Sequence, residues 1–350
     1  MAIRENILSG MTSSSRKILS NIVAVLLIIV LLSIGLSLYK GLEAKFRGVR
    51  RSDYLMGTIV EIRINGPDAK RHAKAAIEEM KRIAGLLNYH DENSELSNIN
   101  RMAGITAVAV SQDTFEIIKR GLNVCRLTGG MYDITIGPLV DIWDFTSKDR
   151  KEIPSGNELA YAQHLVNYGN VEIDSRSETV KLLYPGMKID LGGIAKGYAI
   201  AKARALLVER GVKSALISTG SSITVIGTNG DRNWRVGVKN PSKPDDIIGI
   251  LDLKPGQALA TSGDYERFFE IKGKRYHHIL DPRTAMPAGG TKSVTIISDD
   301  AVLSDALSTA VFVMGPSRGL QFLRGLANVY AIIVDKDGNV LTTPGLILER

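Results

Sequence analysis

The sequence predicts an α+β fold: one domain of mostly antiparallel sheet with packed helices over residues 53–350, preceded by a single N-terminal transmembrane helix. Three observations predict it. Short alternating apolar runs outnumber helical patterns, hairpin-type turn residues join several of them, and an uncharged apolar run lies between basic residues near the N-terminus.

The apolar run is Ile18 to Tyr39, with Arg16 and Lys17 before it and Lys40, Lys45, Arg47, Arg50 and Arg51 after it. Its length suits a bilayer span, and it reads as a signal-anchor. Gly35 and Ser37 also offer small residues for cleavage of a signal peptide, the alternative reading. The chain then divides into a short N-terminal segment (1–17), the anchor (18–39), a basic linker (40–52) and the domain (53–350). Met56 to Ile64 alternates as a strand, and Pro67 opens a helix with Ala73, Ala76, Ile77, Met80, Ile83 and Leu87 on its apolar face. Ser111 caps a second helix through Phe115, Ile118 and Leu122, stopped at Gly129-Gly130. Strand-like runs follow at Val171–Ile173, Val180–Leu183, Ala215–Ile217, Ile223–Ile226, Arg235–Val238, Ile248–Leu253, Phe268–Lys272 and Val294–Ile297. Hairpin turns are signalled near Gly273 and Gly338, and Pro241 to Asp246 reads as a surface loop.

Charge excludes one class of function. The chain carries 44 Lys and Arg against 37 Asp and Glu, but residues 1–51 hold 8 of the basic and 2 of the acidic ones, leaving 36 against 35. The folded part is nearly neutral, so no nucleic-acid surface is expected. Cys125 is the only cysteine, which rules out an internal disulfide and a thiolate metal site; at helical spacing from Phe115 and Leu122 it reads as a core residue.

Two stretches carry chemistry. Asp190 to Gly197, DLGGIAKG, runs into a helical pattern closing at Gly211. Glycines at a helix entrance let backbone N–H groups approach an anion, and Lys196 adds a cation; the same glycines also serve a tight strand-to-helix turn. In SDALSTAVFVMG, Asp305 and Thr309 lie four apart on one helix face. Hard oxygen ligands of this kind suit Mg²⁺ completed by substrate phosphates, although such a pair also serves as a solvated helix face. Together the two stretches describe a magnesium-assisted phosphate site.

Seven motifs in order then resemble the ApbE-type flavin transferases: MGT at Met56, HDENSELSNIN at His90, MYDITIGPLVDIWDF at Met131, IDLGGIAKGYA at Ile189, TSGDYERFF at Thr261, YHHILDPRT at Tyr276 and the Asp305 segment from Ser304. The resemblance covers Tyr54 to about Gly315. It implies an ApbE-like fold and an FAD:protein FMN transferase that cleaves FAD, attaches FMN through a phosphoester to a Thr or Ser of another protein, and releases AMP. It implies Mg²⁺ on Asp305, Thr309 and the carbonyl of Gly193, with Ser308 a weak or water-mediated contributor. Flavin contacts carried over are Met56, His90, Met131, Tyr132, Asp133, Asp190, Lys196 and Ile279. His90 stacks on a ring or is solvated in its polar loop. His278 is the candidate general base, or else caps strand polar groups.

Two positions depart from the family pattern. Ala285 stands where Gly is frequent, which argues against a left-handed turn there, and Ser221 replaces the second glycine of a GG pair. No segment matches the acceptor motif of the family, so the implied partner is a separate protein with a Ser/Thr-Gly-Ala-Thr segment, a membrane redox subunit. That partner would place the catalytic domain on the extracytoplasmic side of the bacterial inner membrane. Two other readings stay open: hydrolysis of FAD to FMN and AMP, and a membrane-tethered FAD-binding protein without turnover.

Overall fold

The computed structural model describes residues 12, 14, 21–35, 48–146, 152–243 and 245–349 of the chain. Residues 21–35 form a helix whose side chains are all exposed. Among the described residues no helix is long and apolar enough to cross a membrane. The expected span over 18–39 is helix at 21–35, and its two ends lie outside the described residues.

The domain begins earlier than its sequence announces. Strand β1 (Val49–Leu55) takes in residues assigned above to a basic linker and pairs along its whole length with β2 (Thr58–Ile64). Arg50 and Arg51 disguise it, because an edge strand with an exposed face tolerates charge there. Helices α1 (Ala69–Leu86), α2 (Glu95–Arg101), α3 (Gln112–Leu127), α4 (Gly137–Trp143) and α5 (Gly156–His164) follow, with β3 (Val108–Ala109) inserted after α2. Ser111 caps α3 as expected, accepting from the Thr114 N–H. Strands β4 (Val171–Asp174) and β5 (Thr179–Leu182) join β3 in a small sheet. Helix α6 (Ala195–Glu209) leads into β6 (Ala215–Ser218), β7 (Ser222–Ile226), β8 (Trp234–Lys239), β9 (Ile247–Leu253) and β10 (Ala258–Gly263). Then come β11 (Phe268–Ile271), β12 (Lys274–His277), the short β13 (Leu280–Asp281) and β14 (Met286–Pro287), and β15 (Thr291–Ser298). Helices α7 (Ala301–Met314) and α8 (Pro316–Leu323) and strands β16 (Tyr330–Asp335) and β17 (Val340–Thr342) complete the domain.

The main sheet runs β1-β2-β6-β7-β10-β15-β16-β17, antiparallel throughout. Period-2 alternation sorts its side chains onto two faces. Ala215, Ile217, Val294 and Ile296 join the core beneath the helices, while Leu216, Val225, Leu259 and Ile297 pack against the β8–β9 ribbon. Strand β10 escaped the sequence reading because ALATSG is small and barely apolar; its position inside the sheet, between β7 and β15, makes it a strand.

A third cluster supports the functional end. Trp143 at the end of α4 is fully buried, stacks on Phe145 (centroids 5.6 Å apart) and Tyr276 (5.9 Å), and donates its indole N–H to the Ala285 carbonyl at 2.8 Å. Ala285 does adopt the left-handed conformation argued against above, with φ 57°. Its N–H donates to the Asp281 carbonyl and its own carbonyl is held by Trp143, so the surroundings impose the turn. Trp143→Ala is expected to cost about 3–5 kcal/mol, measured as a lower urea midpoint with an unchanged denaturant slope.

Candidate active site

Asp300 caps α7, its carboxylate accepting from the N–H groups of Val302 (2.9 Å) and Leu303 (3.1 Å). One turn further, Asp305 faces α6 and is only 4% exposed. Its Oδ2 accepts from the Gly197 N–H at 2.8 Å, and its Oδ1 from the Ser222 hydroxyl at 3.0 Å. A side chain at Gly197 would place its Cβ 2.4 Å from the Ala301 carbonyl oxygen and 2.7 Å from the Asp305 Cβ. Glycine is what lets the two helices approach. The sequence offered this helix entrance to a phosphate; the close approach of α7 gives the Gly197 N–H to the chain's own carboxylate instead. The Gly192 N–H is likewise taken internally, by Asp190 Oδ1 at 2.7 Å.

Thr309, a turn beyond Asp305, comes against Gly193: a Cβ built there would lie 3.2 Å from Thr309 Oγ1 and 3.0 Å from Tyr132 Cε2. The Ser262 hydroxyl lies 3.2 Å from Thr309 Oγ1 and 2.7 Å from Ser308 Oγ. Ser308, expected as a weak or water-mediated contributor, is fully buried and donates to the Asp305 carbonyl at 2.7 Å.

Gly193, Asp305 and Thr309 supply a carbonyl, a carboxylate and a hydroxyl. Among the described residues no group of three or more His, Cys, Asp or Glu side chains could hold a metal ion. A cation placed here would meet one carboxylate and neutral oxygens, a set that would fit Mg²⁺ with substrate phosphates and fit Zn²⁺ poorly. The missing side chain at Gly193 keeps the space beside Thr309 open.

The mouth of the site gathers residues distant in sequence. Met56 (φ 53°) and Gly57 (φ 73°) form the β1–β2 turn, and a Cβ on Gly57 would meet the Arg267 guanidinium at 2.9 Å. Burial raises the pKa of Asp190 above the ordinary carboxylate value, opposed by the Gly192 N–H and by the charges of His90 and Arg267. Lys196 donates to the Gly192 carbonyl at 3.2 Å. His90 is exposed, edge-on to Tyr89 at 5.4 Å. Tyr89 in turn donates to Asp141 at 2.7 Å.

Other expected flavin contacts sit deeper. Met131, Tyr132 and Ile279 are buried at 8%, 5% and 4% exposure. The Tyr132 hydroxyl has no hydrogen-bond partner among the described residues. Asp133 accepts from the Thr135 N–H and hydroxyl and from the Tyr168 N–H, so its side chain is committed to its own loop. Sequence reasoning singled out neither Ser222 nor Ser262 nor Arg267, although TSGDYERFF contains the last two.

The two adjacent histidines divide their tasks. His277 Nε2 lies 2.9 Å from the Ala288 carbonyl, which only accepts, so this nitrogen carries the hydrogen, and Nδ1 accepts from the Ile279 N–H at 3.3 Å. Both ring nitrogens are spent on the backbone. His278 Nδ1 faces the Arg267 carbonyl at 3.3 Å, which leaves Nε2 with its lone pair free in that tautomer. Burial pulls the His278 imidazole down to about 3, aided by the charges of Arg267 and Lys196.

Burial also lowers His277 to about 4 from an ordinary 6.5. The unfolded chain therefore binds this proton more readily, and the associated stability is complete above about pH 6.5 and lost as pH falls towards 4. Thermal melts across that window should show this decline, with a shallower slope in His277→Gln.

The ApbE family model matches residues 56–333. An FAD:protein FMN transferase of Klebsiella pneumoniae is 33% identical over 292 residues, covering 83% of this chain and 90% of the relative. One from Treponema pallidum is 30% identical over 330 residues, covering 88% and 90%. Among solved structures, the ApbE protein of Thermotoga maritima superposes with a TM-score of 0.80 at 37% identity over 85% of this chain and 97% of its own. The flavin transferase ApbE of Vibrio cholerae does so at 0.76 and 26% identity, over 85% and 97%. The fold, the order of the motifs and these similarities agree that the chain is a transferase and belongs to the ApbE family.

Proposed function

We propose that this protein is a Mg²⁺-dependent FAD:protein FMN transferase that joins FMN through a phosphoester to a Thr or Ser of an acceptor protein and releases AMP. The observation that carries the reading is that Thr309 of α7 lies against Gly193 on the loop before α6, while Asp305, one turn before Thr309, is hydrogen-bonded to Gly197 beside Lys196 in the first turn of α6. The activity of the similar FAD:protein FMN transferases supports the substrate and the reaction.

Mg²⁺ held by Asp305, Thr309 and the Gly193 carbonyl would supply positive charge to the FAD pyrophosphate. Lys196 and Arg267 add two cations at the mouth. His278 Nε2 takes the proton of the acceptor hydroxyl, whose oxygen bonds to the phosphorus on the FMN side as the bond to the AMP oxygen breaks. His278 suits this role because its surroundings keep it neutral, at the cost of basicity. Met56, His90, Met131, Tyr132, Asp133, Asp190 and Ile279 surround the flavin in this reading.

The acceptor is a separate membrane redox subunit with a Ser/Thr-Gly-Ala-Thr segment. The apolar run 18–39 anchors the chain in the bacterial inner membrane, with the domain on the extracytoplasmic side. Its composition and basic flanks support this part of the proposal.

The test is incubation with FAD, Mg²⁺ and such a subunit, followed by a denaturing gel viewed for flavin fluorescence. A fluorescent acceptor band that is lost with EDTA is expected; free FMN and AMP without a band would indicate hydrolysis, and intact FAD a binding protein. Asp305→Ala should abolish Mg²⁺-dependent turnover while retaining FAD, measured by equilibrium dialysis. His278→Asn should slow transfer by about 10²–10⁴-fold, and in the parent protein no rate loss from His278 protonation should appear between pH 5 and 8.

A further inference from the structure

Resting on that reading of the metal site, we propose that Ser262 and Ser308 form a one-way hydroxyl chain that turns Thr309 into a pure acceptor towards the cation. The direction follows from counting hydrogens. A hydroxyl has one hydrogen and two lone pairs. The Asp305 carbonyl can only accept, so the 2.7 Å contact from Ser308 uses the Ser308 hydrogen. The 2.7 Å contact between Ser308 and Ser262 must then use the Ser262 hydrogen. With that hydrogen spent, the 3.2 Å contact between Ser262 and Thr309 is made by the Thr309 hydrogen. Thr309 is left with both lone pairs unclaimed and no hydrogen to point at the site. Such an oxygen is an acceptor for a cation, whereas a freely rotating hydroxyl spends part of its time presenting its hydrogen.

The setting protects the polarity. Ser308 is fully buried and the chain ends on a main-chain carbonyl, which cannot donate, so the direction of its inner end is fixed. Thr309 is half-buried and open to a ligand. Ser262 and Ser308 are thus positioning residues, acting on the metal through Thr309.

The test is Mg²⁺ affinity of the full chain by calorimetry, alongside melting temperature without Mg²⁺. Ser262→Ala removes the acceptor for the Thr309 hydrogen and should weaken Mg²⁺ about tenfold, with the metal-free melting temperature unchanged and Ser262→Thr restoring affinity. Ser308→Ala should weaken Mg²⁺ as well, because the freed Ser262 hydrogen swings onto Thr309; a residue that merely packs would not do this. Thr309→Val separates the two levels of the argument. If it weakens Mg²⁺ while Ser262→Ala and Ser308→Ala bind within twofold of the parent, the hydroxyl chain is overturned and the metal site stands. If Thr309→Val also binds normally, the metal site itself falls.

Discussion

A single buried carboxylate organises this end of the molecule. Asp305 is almost wholly removed from water, and an ionised group so placed must find compensation within hydrogen-bond reach. It finds the Gly197 N–H, where the partial positive charge of α6 concentrates, and the Ser222 hydroxyl on β7. Three elements are thereby fixed to one side chain. The contact requires the α6 and α7 backbones to meet, which excludes a side chain at Gly197, and it sets the loop before α6 against Thr309. Removing one hydrogen-bond partner of such a buried group costs about 1–3 kcal/mol. Structure and proposed chemistry therefore depend on the same atoms.

The aromatic cluster performs the corresponding service for the histidine side. Trp143, Tyr276 and Phe269 stack across α4 and the β11–β12 hairpin, and the Trp143 N–H holds the left-handed Ala285. That turn and the His277 clasp on Ala288 bracket Ile279, so the His278 backbone has little freedom. One histidine gives both nitrogens to the scaffold and its neighbour leaves Nε2 uncommitted to the backbone.

The fold class was legible because alternation and hairpin turns are local signals: the turns near Gly273 and Gly338 do close β11–β12 and β16–β17. Strands β1 and β10 were not, since basic residues mask the first and small residues the second, and each is a strand only through its neighbours. In the site, Asp305 and Thr309 were readable from a helical period. Ser222 and Ser262 were not, because a lone serine in a strand carries no pattern and gains meaning only when α7 is laid across β7 and β10. Ala285 shows the opposite failure. Its intrinsic preference was read correctly, and tertiary contacts overrode it.

The poverty of charge in the donor set has a consequence for how such a site loads. One carboxylate and two neutral oxygens would neutralise only half the charge of a divalent cation, so in the proposed site the protein alone would offer Mg²⁺ a weak hold. Lys196 and Arg267 at the mouth add further positive charge, which opposes metal entry and attracts a pyrophosphate. Metal and dinucleotide then favour one another: the phosphates complete the cation's shell, and the cation relieves the phosphates' repulsion. Binding free energies coupled in this way are reciprocal. A site with three carboxylates would hold the ion permanently and repel its substrate. Under the proposed function such an arrangement would hold its strongest electrostatics in reserve until FAD arrives, and a Thr309 oxygen stripped of its hydrogen would be the ligand that so weakly charged a set needs.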